Sequence, residues 1–334
     1  MDLRTTYMGL ELTRPIIASA SPLSERLANI RHMEDAGAGA VVLFSLFEEQ
    51  IKHEAEAFEH FVGHGTNSYA EALSYFPGAD DYPLGAEEYL ELVRRASEAV
   101  AIPVIGSLNG VTNEGWIDYA REIERAGARG LELNIFYLPA DLETSGRDVE
   151  DRYVDILQRV KGAVGIPVAL KLSPFFSSIG AMARRLDEAG ADALVLFNRF
   201  YQPDIDIEMR RVALELELSR AVEIRLPLTW IAILHGRIKA SLGATRGVQS
   251  PQEVIKYLLA GADAVMTTSA LLRNGIDFLT TLNDGLGEWM TRNQYPSVAE
   301  FKGSMSQRNV TDPTAFERAN YIKMLERFKN PYAA

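Results

Sequence analysis

One lysine stands inside an apolar strand pattern. Residues 166–174 read IPVALKLSP, and the apolar run around Lys171 predicts a buried strand. A charged side chain that points inward from such a strand is costly unless an anion or a polar ligand pairs with it. Lys171 is therefore a candidate for stabilising negative charge on a ligand. A structural lysine that extends to the end of its strand is the alternative.

A second group of residues has the pattern of a phosphate site. Residues 243–248 read GATRGV, and a capping box with proline over residues 250–253 predicts a helix that ends at Gly261. A short strand then leads through residues 264–269, AVMTTS. Two such turns at the carboxyl ends of consecutive strands aim backbone N–H groups at one point, which is how parallel α/β proteins hold phosphate.

Two alternating phrases predict the elements that carry these residues. The first phrase is AGAGAVVLF at Ala36, AGARGLELN at Ala126, AGADALVLFN at Ala189 and AGADAVMTT at Ala260. The second is RPIIASA at Arg14, IPVIGSLN at Ile102, IPVALKLSP at Ile166 and IKASLGAT at Ile238. Together they predict strands in βα units, with helical patterns at 90–100, 116–126, 149–164 and 179–189.

These units predict a TIM (β/α)8 barrel. Near-continuous apolar strands indicate a parallel sheet that helices cover on its outer face. A doubly wound open sheet is the alternative, but no GxGxxG follows the first strand. The excess length lies in extended loops after the second and sixth strands, residues 46–88 and 199–228, and in a C-terminal tail. We expect a barrel domain over 1–295 and an extension over 296–334 that packs on the barrel or on a partner subunit.

Polar residues collect at the predicted strand ends, where the active sites of such barrels lie. These residues are Ser19, Asn109, Asn134, Lys171, Asn198, Arg246, Thr268 and Ser269. Asn134 and Asn198 each end a hydrophobic strand and predict a ligand contact, although capping of a loop is the alternative.

Composition excludes several classes of function. The 334 residues carry a formal net charge of −12, which argues against a nucleic-acid surface. The chain has no cysteine, so thiolate metal sites, disulfides and a cysteine nucleophile are excluded. No apolar run reaches the roughly 18 residues of a membrane span. We expect a cytoplasmic protein without a membrane anchor.

The strand-end residues resemble the dihydroorotate dehydrogenase family of FMN-dependent barrels over about residues 1–300. The matching pieces are PIIASAS, LELN, ALKLSP, LVLFN, ATRGVQSPQEVIKYLLAGADAV and TSALL. More narrowly, VVLFSLFEEQI, ILHGRIKASL and the tail PSVAEFKGSMSQRN resemble the group often encoded beside pyruvate:ferredoxin oxidoreductase. The resemblance implies an FMN-dependent dehydrogenase of pyrimidine biosynthesis.

The resemblance also implies roles for residues. Lys171 approaches the N1/O2 edge of the flavin, and Asn134 and Asn198 reach substrate or flavin. The other implied cofactor contacts are Ala18, Ser19, Ala20 and Asn109 along the flavin, and Arg246, Gly247, Val248, Thr268 and Ser269 around its phosphate. Implied partners are a small acid substrate, a soluble electron acceptor or partner redox protein, and a second copy of the chain in a homodimer.

The sequence departs from the family at the catalytic base. The family reads NLSCPN, or a version with serine as the base, where residues 134–139 read NIFYLP, so Tyr137 stands at the position of the base. A tyrosine with an unperturbed pKa of about 10 is a poor base at neutral pH, though it can donate a proton, and packing is the alternative role. Phe44 also replaces a lysine that touches flavin in the family.

The sequence is therefore compatible with three functions. The first is an FMN-dependent oxidoreductase that acts on dihydroorotate or a related small acid with an altered base. The second is a non-catalytic component of a redox system that binds FMN or another phosphate ligand. The third is a barrel that acts on a sugar phosphate without flavin.

Overall fold

The structure is a computed structural model that describes residues 1–48, 85–110, 116–199, 203–213 and 216–327. Most of the loop predicted after the second barrel strand lies outside these residues. The strands are β1 Thr5–Tyr7, β2 Leu10–Leu12, β3 Ile16–Ala18, β4 Ala40–Val42, β5 Leu46–Phe47, β6 Val104–Asn109, β7 Gly130–Asn134, β8 Val168–Leu172, β9 Ala193–Leu196, β10 Asp204–Asp206, β11 Arg211–Ala213, β12 Ser241–Ala244 and β13 Ala264–Thr267.

The α-helices surround these strands. They are α1 Leu27–Asp35, α2 Ala86–Ala99, α3 Trp116–Arg125, α4 Gly146–Ala163, α5 Ile179–Glu188, α6 Arg225–Leu234, α7 Pro251–Ala260, α8 Ser269–Asn274, α9 Phe278–Arg292, α10 Val298–Phe301 and α11 Arg318–Arg327. Within the described ranges, no helix is long and apolar enough to cross a bilayer.

The central sheet closes on itself as a barrel. Its parallel pairs run from β3 through β4, β6, β7, β8, β9, β12 and β13, and β13 pairs with β3 again. The short β5 follows β4 and pairs with the carboxyl-terminal half of β6, so both occupy one position of the ring. The predicted (β/α)8 barrel is confirmed.

Alternation along each strand separates two apolar layers. In β7, Leu131 and Leu133 pack in the cluster shared with the surrounding helices. In β8, Ala169 belongs instead to the smaller cluster inside the barrel. Lys171, two residues further along β8, therefore shares the inward face with Ala169, and Asn134 lies beside it in the register.

A short hairpin closes the amino end of the barrel. Tyr7 and Met8, from β1 and its turn, are buried in the interior cluster. The hairpin is tied to the starts of two late strands, because Thr5 Oγ1 donates to the Asp263 carbonyl at 2.8 Å and the Met8 N–H donates to Ser241 Oγ at 3.0 Å. The open end of the barrel is thus the carboxyl end of the strands.

The helix that follows the glycine turn forms where its caps predict it. Ser250 accepts the Gln252 N–H and donates to Glu253, and Gly261 ends the helix with φ of 115°. Strand β12, which precedes this helix, begins at Ser241, whereas the apolar run in the sequence begins at Ile238. The N–H groups of Lys239 and Ala240 donate to the Asp187 carboxylate, so these residues connect to the end of α5 instead of entering β12.

The first part of the C-terminal tail packs on the barrel helices. Val298 and Phe301 are buried, and the Trp289 and Tyr295 rings pack beside Phe301. Lys302 Nζ lies 2.6 Å from Asp263 Oδ1, which ties the tail to the loop before β13. Helix α11, in contrast, exposes Tyr321, Ile322, Met324 and Leu325.

Candidate functional site

A cavity of about 420 Å³ opens at the carboxyl ends of the barrel strands. Eleven of the sequence-predicted site residues line it: Ser19, Ala20, Asn109, Asn134, Lys171, Asn198, Arg246, Gly247, Val248, Thr268 and Ser269. These residues come from seven barrel strands and the loops that follow them. We call the part of the cavity around Gly247 and Ser269 the glycine end. The part around Lys171 and the three asparagines, Asn109, Asn134 and Asn198, is the amide end.

Lys171 lies at the amide end beside a buried carboxylate. Its Nζ donates to Glu132 Oε1 at 3.2 Å, and the side chains of Lys171 and Glu132 are 11% and 1% exposed. Glu132 is on β7, two residues before Asn134, and so points into the barrel below the cavity. The pair explains how a charged lysine is accommodated in an apolar strand, since buried charges require a partner.

Two asparagines meet at the amide end. Asn198 Nδ2 donates to Asn134 Oδ1 at 2.6 Å, which leaves the Asn134 amide nitrogen and the Asn198 amide oxygen for other partners. Asn109 adds a third amide at the end of β6, beside Asn134 in the register. The amide end therefore offers donors and acceptors next to one cation, which suits a planar ligand that carries both carbonyl and N–H groups.

The glycine end is built from backbone in unusual conformations. Arg246 and Gly247 have φ of 81° and 68°, both in the left-handed region. A Cβ at Gly247 would lie 2.6 Å from Ile224 Cγ2 and 2.9 Å from the Arg220 carbonyl oxygen. Tyr257 donates its hydroxyl to the carbonyls of Thr245 and Arg246, which holds the turn from below. Successive N–H groups in such a turn form an anion-binding concavity.

A serine from the loop after β9 joins the glycine end. The buried Ser219 accepts the Gly247 N–H at 3.3 Å, and its Oγ lies 2.7 Å from Ser269 Oγ. Gln249 Nε2 donates to Ser269 Oγ, and Arg273 donates to the Ser219 carbonyl. The sequence did not single out Ser219, because its partners lie 28 and 50 residues away and no local pattern links them.

Two arginines line the cavity. Arg246 pairs with Glu223 at 2.8 Å, and its buried Nε has no hydrogen-bond partner among the described residues. Burial, which raises the pKa of Glu223, is outweighed by hydrogen bonds from Arg220 and Arg246, so its pKa is lowered. Arg199 lines the cavity directly after Asn198 and was not predicted as a site residue. Cations at this mouth favour anionic ligands.

Two sequence-predicted residues do not line the cavity. Ala18 is buried within β3, where it pairs with Thr267 of β13. Tyr137 lines a separate small cavity with Phe136, Ser173 and Asn198, and the Arg152 guanidinium lies 4.0 Å from its ring centroid. The ring of Tyr137 is thus engaged in a cation–π contact outside the main cavity.

The sequence carries a signal for Glu132 as well. A carboxylate between Leu131 and Leu133 in the phrase LELN is as unusual in a buried strand as Lys171 in ALKL. The two charges lie on adjacent parallel strands at inward positions, with Lys171 beside Asn134 in the register. An inward lysine thus predicts an inward carboxylate on a neighbouring strand, and LELN supplies it.

Residues 78–290 match the family model described as dihydroorotate dehydrogenase, which is well over half of the chain. The chain belongs to the dihydroorotate dehydrogenase family. Family membership makes it a flavin-dependent dehydrogenase and confirms the resemblance carried by the strand-end residues.

Curated members of the family match the chain over most of its length. It is 27% identical over 293 residues to dihydroorotate dehydrogenase B (NAD(+)), catalytic subunit, of Methanocaldococcus jannaschii, covering 84% of this chain and 91% of that protein. Proteins of the same description from Thermoplasma acidophilum and Methanothermobacter thermautotrophicus are 26% and 28% identical. Those matches cover 90% of this chain and 98% and 97% of the relatives.

Proposed function

We propose that the cavity holds FMN and that the protein oxidises dihydroorotate or a related small acid. The single observation that carries this proposal is the placement of Lys171 and three asparagines at one end of a cavity whose other end is a left-handed glycine turn. A ring that carries carbonyl and N–H groups fits the amide end, and a phosphate fits the glycine end.

The residues present fit the flavin by three observations. The cavity volume of about 420 Å³ is in the range of small-molecule sites. Gly247 holds a left-handed φ of 68° that glycine adopts at little cost, and turns of this kind form anion-binding concavities. The ammonium of Lys171 suits the edge of the ring that gains negative charge on reduction.

The chain's own residues would contribute binding, orientation and charge. When bound, the flavin supplies the hydride-accepting ring for oxidation of a CH–CH donor. Lys171 would stabilise negative charge from a fixed position, which costs no reorganisation during the reaction. Asn134 and Asn198 would orient the acid, and Arg199 at the same mouth would attract its carboxylate. Ser19, Ala20 and Asn109 would line the ring, and Arg246, Val248, Thr268 and Ser269 would surround the phosphate.

For Tyr137 we propose a packing role. Its ring lies under the Arg152 guanidinium, and it lines a cavity separate from the main one. Both observations support a residue that fixes the loop after β7, where Tyr137 and Asn198 line the same small cavity. Tyr153 assists at the same loop, because its hydroxyl donates to the Ile135 carbonyl at 2.7 Å.

The first experiment is the visible absorption spectrum of the purified protein, with mass identification of any molecule released on denaturation. We expect a flavin band and released FMN. Dihydroorotate, and then other small acids, would be added anaerobically while the flavin absorbance is recorded. Bleaching by dihydroorotate supports the family reaction and a place in pyrimidine biosynthesis. A colourless protein that fails to take up added FMN contradicts the proposal.

A second candidate function is a non-catalytic FMN holder. One observation favours it: among the described residues that line the cavity, Glu25 is the one carboxylate, and no histidine is present. A general base within reach of the substrate is thus less evident than the binding groups. This candidate would be supported if the protein retained FMN and bound dihydroorotate or another small acid, yet no acid bleached the flavin.

We further propose that electrons leave to a soluble acceptor or a partner redox protein in the cytoplasm, and that the chain forms a homodimer. The description of relatives as catalytic subunits supports a partner chain.

The hairpin β10–β11 exposes Ile205, Ile207, Met209 and Val212, which supports a protein contact at this surface. Light scattering on the parent and on I205D/V212D would test whether this hairpin forms the homodimer contact, and we expect the double variant to lose the dimer.

A further inference from the structure

The carboxylate of Glu132 is among the most enclosed charged groups of the described chain. Its side chain is 1% exposed, and one oxygen accepts the Lys171 ammonium at 3.2 Å. The other oxygen, Oε2, is buried and has no hydrogen-bond partner among the described residues. Since an unsatisfied buried carboxylate oxygen is costly, packing alone does not explain a glutamate at this position.

The groups around Glu132 leave Lys171 as its compensating charge. On β8, Ala169 lies beside Glu132 in the register and is apolar. On β6 the register neighbour is Ser107, whose hydroxyl lies 2.8 Å from Ser45 Oγ. The hairpin below contributes Tyr7, whose buried hydroxyl also has no described partner. Burial and the charge of Glu132 raise the pKa of Tyr7, so Tyr7 stays neutral.

Lys171 stands between this carboxylate and the cavity. An ammonium has three N–H donors, and one of them is directed to Glu132. The residue also lines the cavity, so its charge faces both the Glu132 carboxylate below and any ligand above. In a site of low dielectric, a carboxylate at hydrogen-bond distance offsets a large part of the field that the ammonium exerts on that ligand.

We propose that Glu132 is a positioning residue that fixes the Lys171 ammonium at the cavity floor and sets how much positive charge it presents to the ligand. This inference rests on the proposed FMN site. The carboxylate prevents the lysine from extending into the cavity and lowers the stabilisation that it gives to a negatively charged ring. Flavin reactivity is thus set by a pair of residues on adjacent strands.

Sulfite provides a readout that is independent of turnover. Its sulfur lone pair forms a bond to N5 of the oxidised ring, nothing leaves, and the displaced electron pair becomes negative charge at the N1/O2 edge. The affinity for sulfite therefore increases with positive charge near that edge. It is measured by titrating the FMN-loaded protein and following the loss of the visible flavin absorbance.

The test compares four proteins: the parent, E132Q, K171M and E132Q/K171M. The E132Q change keeps the shape of the side chain and an acceptor oxygen but removes the negative charge. We expect E132Q to bind sulfite about tenfold more tightly than the parent, which corresponds to about 1.4 kcal/mol. We expect K171M to bind it more weakly, and the double variant to match K171M, because a buried carboxylate that has lost its counter-ion takes up a proton and is then as uncharged as glutamine.

Glu253 provides the matched control. It is also buried, but it belongs to the first turn of α7 and accepts the Ser250 hydroxyl at 2.7 Å. E253Q is expected to leave the sulfite affinity at the parent value. E132D keeps the charge, and its sulfite affinity is expected to stay within about threefold of the parent value, which is less than the roughly tenfold change expected for E132Q.

The outcomes separate the two proposals. A parent that binds no FMN contradicts the proposed function. If FMN binds and K171M leaves the sulfite affinity unchanged, then Lys171 does not act on the ring and the inference is overturned. If K171M weakens sulfite binding but E132Q equals the parent, the role of Glu132 alone is overturned. Should E132Q fail to fold, a shift in E132D as large as that in K171M would overturn it as well.

Discussion

The two ends of the cavity are built from different parts of the polypeptide. The glycine end consists of backbone in left-handed conformations, and the bonds around Ser219 and Gln249 tie it to two neighbouring loops. The amide end consists of side chains, which within the described ranges are joined by two hydrogen bonds, Asn198 to Asn134 and Lys171 to Glu132. A ligand held at the glycine end depends on chain geometry, whereas a ligand held at the amide end depends on side-chain identity.

The difference between the two ends indicates where variation within the family can occur. A backbone cradle tolerates almost any side chain that preserves its dihedral angles, even an arginine at φ of 81°. A set of amides and one ammonium changes its ligand with each substitution, because an unpaired buried polar group discriminates strongly. We therefore expect binding of the cofactor phosphate and choice of the substrate to be separable by mutation.

The largest expected effect is at Lys171. K171M should keep nearly the parent FMN content, because the glycine end is unchanged, while turnover falls about 100- to 1,000-fold through loss of a fixed charge. Bound FMN is measured by absorbance after gel filtration, and turnover by anaerobic bleaching. A variant with parent turnover would show that the amide end does not act on the ring.

Gly247 is the corresponding position at the glycine end. G247A introduces a Cβ 2.6 Å from Ile224 Cγ2 at a left-handed φ. We expect its FMN dissociation constant to rise about 100-fold, since strain and displacement together cost roughly 3 kcal/mol. Fluorescence titration of the apoprotein measures this constant.

Gly287 is the matched control for that substitution. It lies within α9, and a Cβ there would meet nothing within 4 Å. G287A should bind FMN like the parent and be more stable by about 0.5–1 kcal/mol, because alanine favours the helix. Equal FMN affinity in G247A and the parent would contradict a phosphate site at this turn.

The asparagine pair should give a smaller effect confined to the substrate. N134A and N198A are each expected to raise KM about fivefold with unchanged FMN content, since a net hydrogen bond contributes about 1 kcal/mol. The double variant should lose less than the sum, because each single change already breaks the Asn198–Asn134 bond. N293A, at the exposed end of α9, is the control. Additive losses would indicate that the two amides act separately.

The smallest expected effect is at Tyr137. Y137F keeps the ring beneath Arg152 and should change turnover less than about twofold, without altering its pH profile. Y137A removes the cation–π contact and should lower stability by about 1 kcal/mol in urea unfolding. A large loss of turnover in Y137F with a shifted pH profile would instead support proton transfer by the hydroxyl.

The sequence predicted the parts of this molecule that depend on local patterns. The helix over Pro251–Ala260 and the strand-end positions of Lys171, Asn134 and Asn198 follow from periodicity, caps and strand alternation. Glu132 and Ser219 were missed because their roles arise only when separate strands and loops meet. The placement of Tyr137 depends on the direction of one loop after β7, which the sequence does not specify.

The hairpin beneath the barrel also ties residues 5–8 to the starts of the last two barrel strands. Thr5 bonds to Asp263, 258 residues later, and Met8 to Ser241, 233 residues later. Contacts between residues so far apart in the sequence form late, and they make folding slow, because a very long loop must close before they contribute. During synthesis the amino-terminal residues emerge first, yet their docking site does not exist until almost the whole barrel has left the ribosome. We therefore expect this floor to be assembled only after the strands above it are in place.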